Sequence, residues 1–139
     1  MGYQDLPDDW NSSPIDDQRM LDVIDLCVGI CERLDYCLGL LLLDERGCLV
    51  QPLVVAGADD TKLDRAATGL SELANLVGHF GGRVVFVRGR PGGPFITRTD
   101  LTWRRYAQEV FGERLAGSYL ATVDVIRPLA RANDLPIAG

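Results

Sequence analysis

A single mixed α/β domain follows from three features of this chain. The run CLGLLLL at 37–43 is continuously apolar, the character of a central strand covered on both faces. Asp44-Glu45-Arg46-Gly47 then forms a tight turn into a second apolar run, CLVQPLVV, so the two runs predict an antiparallel hairpin. Beyond the hairpin, helical and strand patterns alternate, as they do where right-handed crossovers are laid onto one sheet. With 139 residues, the chain suits one hydrophobic core.

Taken in order, residues 1–12 lack periodicity and read as a flexible acidic arm. Residues 13–130 read as the domain and 131–139 as a C-terminal tail. Ser13 as cap, Pro14 in the first turn, and Asp16 and Asp17 beside the dipole predict a helix start. Met20, Ile24, Cys27, Cys31 and Leu34 recur at helical spacing, which carries that helix to about Leu34. Gly47 is free to take positive φ in the hairpin turn, and Pro52 removes a ladder donor, so the second strand belongs at an edge or carries a bulge. Leu63, Ala66, Ala67, Leu70, Leu73, Ala74 and Val77 line up as the stripe of a second helix ended by Gly81-Gly82. RVVFVR is a third strand, and Thr99-Asp100 opens a third helix with Trp103, Tyr106, Ala107, Val110 and Phe111 inward. SYLATVDVIR is a fourth strand stopped by Pro128. The expected architecture is a mixed sheet flanked by about three helices, in two or three layers.

Hydrophobic residues make up 47% and charged residues 24%, a globular balance, and Asp44, Glu45 and Arg46 interrupt the longest apolar stretch before it reaches membrane-spanning length. The polar, acidic N-terminus does not resemble a signal peptide, so the expected compartment is the cytoplasm, with no membrane partner. Cys27, Cys31, Cys37 and Cys48 form no CxxC, and the lone histidine, His79, is far along the chain; buried thiols explain them better than a zinc site. Net charge is −6, which disfavours general nucleic-acid affinity. The charge is uneven, however. Arg83, Arg88, Arg90, Arg98, Arg104 and Arg105 face only Asp100 between 83 and 105, and the loop RGRPGGPFITRTD lies inside that basic island.

The hairpin, the helix, the strand RVVFVRGRPGG and the segment ITRTDLTWRRYAQEVFGERL follow one another as in RadC-like proteins. The chain thus resembles the JAB/MPN superfamily of metal-dependent isopeptidases, of cytidine deaminase-like fold, over about 37–127. That resemblance implies a His-x-His-Pro strand end and a Ser-x-x-Asp helix start that together hold zinc, with an upstream glutamate acting on the bound water. Here Arg88-Gly89-Arg90-Pro91 falls on the first motif and Thr97-x-x-Asp100 on the second, with the loop one residue short. Arginine stays protonated and only donates, so it cannot ligate the metal. His79 is misplaced to substitute, and the nearest candidate for the upstream carboxylate is Gln51. The implied protein is a non-catalytic, RadC-like pseudoenzyme, an interaction or scaffolding domain without cofactor. A homodimer is expected, and Trp10 in the acidic arm is a candidate anchor onto a neighbour.

The loop itself leaves three readings open. It is a solvated turn, or an internal ion pair of Asp100 with Arg88 or Arg90, or an anion site built from Arg88, Arg90, Thr97, Asp100 and Arg104. The functional alternatives follow: an anion- or nucleic-acid-binding module using 83–105, with Trp103 and Tyr106 available to stack on bases, or a hydrolase of unrecognised type. Thr97 or Thr99 with Asp100 is also fully explained as a helix cap. GRPGG is no P-loop, and Ser12, Ser13, Ser71 and Ser118 lack a nucleophile-elbow context.

Overall fold

The structure, a computed structural model, describes residues 14–56, 70–72, 74, 75, 78 and 82–129. The acidic arm with Trp10, the Ser13 cap, most of the 63–77 stripe, His79, Gly81 and the C-terminal tail lie outside the described residues. Helix α1 spans Asp17–Cys27 and a one-turn helix, α2, spans Ile30–Leu34. Strands β1 (Cys37–Leu43), β2 (Leu49–Ala56) and β3 (Arg83–Gly89) follow, then helix α3 (Arg98–Phe111) with a 3-10 turn at Gly112–Arg114. Strands β4 (Leu115–Ala121) and β5 (Ile126–Pro128) close the described chain. Residues 70–72, 74, 75 and 78 are helical as well.

The sheet is mixed and runs β2-β1-β3-β4-β5. β1 pairs antiparallel with β2 and with β3, while β3 and β4 pair in parallel across the α3 crossover. Every residue of β1 is buried, as a strand covered on both faces requires. Alternation divides the core in two. Leu38, Leu40, Leu42, Val84 and Phe86 meet Leu70, Trp103, Ala107 and Phe111 on one face. Leu41, Leu43, Val85, Val87 and Ala121 meet Met20, Val23, Ile24 and Val28 on the other. Helices therefore flank both faces, which makes three layers. Each side chain fully buried this way contributes roughly 1.5–3 kcal/mol.

The hairpin forms as expected: Gly47 has φ 89°, and β2, with Pro52, is the edge strand and also carries a register shift opposite Leu42/Leu43. Three expectations need correction. The first helix is capped by Asp16, whose carboxylate accepts from the Arg19 amide, and Pro14 and Ile15 precede it. That helix also does not run to Leu34. Val28 is extended and Gly29 caps α2. Val28 is fully buried against Gly39, where an added Cβ would come within 2.9 Å of its Cγ2. The strand-side glycine draws the valine in, and the helix gives way. The run 115–128 is two strands, not one. Thr122 turns the chain by accepting from the Val125 amide at its Oγ1, and β5 returns antiparallel to β4, giving five strands instead of four. Of the two threonines that the sequence offers as the cap of α3, Thr97 is the one that caps it.

Candidate functional site: a buried arginine–aspartate cluster

The sequence candidates Arg88, Arg90, Thr97 and Asp100 converge where β3 ends and α3 begins. Strand alternation puts Arg88 on the same face as Val84 and Phe86, so it enters the α3 side of the core, 1% exposed. Its Nε donates to Asp100 Oδ1 at 2.9 Å. Its guanidinium lies 5.3 Å from the Trp103 ring centroid and 5.9 Å from that of Tyr36, a pair of cation–π contacts. Tyr36, at φ 53°, is the only described residue other than glycine in the left-handed region.

Arg90, just past the strand, uses all five N–H donors of its guanidinium. Nε and Nη2 form a fork on the Asp100 carboxylate, each at 2.8 Å. Nη1 donates to the carbonyls of Pro91 and Gly93, and Nη2 also donates to that of Phe95. The loop is thus wrapped around one side chain. Gly92, at φ 104°, makes the wrap feasible, since a Cβ there would sit 3.0 Å from Arg90 Nη1. The Arg127 guanidinium braces the outside of the loop through the Pro94 carbonyl.

Asp100 is completely buried. It completes a capping box with Thr97: its Oδ2 accepts from the Thr97 amide at 2.9 Å, and its own amide donates to Thr97 Oγ1 at 3.1 Å. Each carboxylate oxygen therefore accepts two hydrogen bonds. Burial acts to raise the Asp100 pKa, but the donors of Arg90, the Thr97 amide and Arg88 outweigh it and hold the carboxyl below the usual aspartate value. Desolvating such ions costs several kcal/mol each, and the bonds that fill both Asp100 oxygens and every Arg90 donor work against that cost.

Of the loop readings, the solvated turn is corrected: Arg88 and Arg90 are buried, and both pair with Asp100. Arg104 does not join them. One turn beyond Asp100, it donates from Nε to the Leu129 carbonyl. Trp103 is fully buried over Arg88 and is not available to stack on bases, while Tyr106 is half-buried. Gln51 lies exposed on edge strand β2, its amide donating to the Pro52 carbonyl.

The chemistry of this donor set does not suit a metal. Guanidinium groups present only N–H, and the one carboxylate has both oxygens engaged. Cys37 is close by, packed against Gly89, but burial and then Glu32 push its thiol up to about 11, so it is a neutral thiol rather than a nucleophile. Among the described residues, no group of three or more His, Cys, Asp or Glu side chains is placed to hold a metal ion, and no helix is long and apolar enough to cross a membrane.

Sequence reasoning did not single out Arg33, which proves to be a third buried arginine. Its Nε and Nη1 donate to the carbonyls of Val28 and Thr122, and its Nη2 pairs with Asp25 at 3.0 Å. Comparison of the chain with protein-family models, with curated proteins and with solved structures finds no match.

Proposed function

We propose that this chain is a non-catalytic domain of the JAB/MPN, RadC-like kind, serving interaction or scaffolding and self-association. The observation that carries the reading is the convergence of Arg88 and Arg90 on Asp100 at 2.8–2.9 Å. These are the three positions that the resemblance assigns to metal ligands. An internal cation–carboxylate cluster occupies the place of the metal, and the loop is held by guanidinium in place of zinc. The order of hairpin, helical segment, strand, loop and capped helix also supports the family reading. The arginine-loop anion reading is weakened, because the Arg90 donors are all directed inward to the chain's own carboxylate and carbonyls.

Equilibrium dialysis of the purified chain against zinc, with bound metal measured by atomic emission, tests the assignment. The expected result is no stoichiometric zinc, and no change when Asp100 is replaced by Asn. Tight one-to-one zinc that disappears in Asp100→Asn would overturn it.

A further inference from the structure

We propose that the recess between α3 and the β4–β5 edge binds a small monocarboxylate, with Arg104 and Ser118 as its polar contacts. The recess is about 340 Å³ and is lined by Arg104 and Gln108 of α3, by residues 115–119 of β4, and by Pro128 and Leu129. That volume is at the lower end of the roughly 300–1,000 Å³ typical of small-molecule pockets.

Two residues that line it have hydrogen-bonding capacity unmet among the described residues. Ser118 is only 9% exposed, and its Oγ has no hydrogen-bond partner among the described residues. A buried hydroxyl left unpaired is costly, and a turn of the Ser118 side chain toward the recess would let a ligand oxygen satisfy it. Arg104 donates from Nε to the Leu129 carbonyl, which fixes the plane of its guanidinium. No hydrogen bond from its terminal Nη groups is seen among the described residues. Of the three arginines the sequence marks as anion contacts, Arg104 is the one that does not join the Asp100 cluster.

Among the described residues, the edge beside them is only partly paired. β5 pairs only with residues 119–121 of β4, and the Leu129 amide adds one bond to the Ser118 carbonyl. Residues 115–117 have no strand on that side among the described residues, and the register slips there, with Val84 opposite Leu115 and Val85 opposite Gly117. Such bulges recur beside binding sites, where they re-aim backbone and side-chain groups.

Charge and shape select the ligand class. A planar guanidinium matches a carboxylate through two parallel N–H···O bonds. One guanidinium balances one negative charge. A phosphate dianion would need further cations, which the recess lining does not supply. Leu115, Pro128 and Leu129 offer apolar contact to a short hydrocarbon tail.

The test is a proton–nitrogen NMR titration of the full chain with sodium butyrate, with sodium phosphate and sodium chloride at matched ionic strength as controls. The expected result is saturable shifts at the Gly117 and Ser118 amides and at the Arg104 Nε–H with butyrate alone. Arg104→Gln abolishes saturation, and Ser118→Ala weakens binding about three- to tenfold, the effect of one hydrogen bond. Absence of saturable shifts, an identical response to phosphate, or undiminished affinity in Arg104→Gln overturns the proposal. Should Arg104→Gln fail to fold, Arg104→Lys keeps the charge without the fork. Unchanged binding in both that variant and Ser118→Ala is then equally decisive against it. Zinc dialysis does not bear on this recess, so either proposal can fail while the other stands.

Discussion

Arg33 and Arg90 are both buried, and both close their guanidinium groups on backbone carbonyls, yet they stand on opposite faces of the sheet and in different electrostatic settings. Arg33 joins α1, α2 and the turn between β4 and β5, and its carboxylate partner, Asp25, is 33% exposed. Arg90 shares with Arg88 a carboxylate that water does not reach. Water can replace one member of the first pair if it is lost. Nothing replaces a lost member of the second. The lesson is that the value of a buried arginine is set by how dry its partner is, more than by how many bonds it makes.

The largest effect expected from breaking this contrast belongs to Asp100→Asn. It leaves two buried guanidinium groups without their carboxylate, at a cost of about 3–5 kcal/mol. Urea denaturation of the variant against the parent measures this. A loss below about 1 kcal/mol would mean that the cluster is solvated in a way the burial of Asp100 contradicts.

Acid sharpens the same point. The Asp100 pKa is lowered on folding. Its carboxylate therefore contributes fully above the unfolded value of about 3.9 and loses that contribution as pH falls through the folded value. The stability gap between parent and Asp100→Asn should accordingly be widest near neutrality and shrink below about pH 4. Denaturation curves collected across that range give the gap directly, and a gap that widens with acid contradicts the direction of the shift.

Asp25→Asn marks the small end of the series. The partly exposed pair should lose no more than about 1 kcal/mol, because exposed ion pairs contribute little and water can solvate the freed Nη2 of Arg33. A loss as large as that of Asp100→Asn would erase the distinction between the two arginines.

Much of the fold was legible because its signals are local. The unbroken apolar run of β1, Gly47 in the turn and Pro52 on the edge each speak through their own backbone chemistry. The break after Cys27 was not legible, because the apolar stripe continues through it at helical spacing. What ends the helix is Val28 packing onto Gly39, a contact across the chain. The division between β4 and β5 did have a local sign, Thr122 preceding Val123-Asp124, but the flanking apolar residues masked it. At the site, the sequence placed Arg88, Arg90, Thr97 and Asp100 together through the family resemblance and the capping pattern. It did not decide whether the arginines turn inward, since charged residues after a strand are ordinarily solvated. The parity of Arg88 with Val84 and Phe86 was the available clue. Arg33 gave none, because two of its three partners are the backbone carbonyls of Val28 and Thr122, and a sequence does not mark those.

Asp100 belongs at once to the first turn of α3 and to the ion cluster at the end of β3. The helix cannot fray at that end without stripping both arginines of their counter-charge. Peeling of α3 from its N-terminus and opening of the β3 loop are therefore a single cooperative event, and amide hydrogens on both sides of the loop share one exchange threshold.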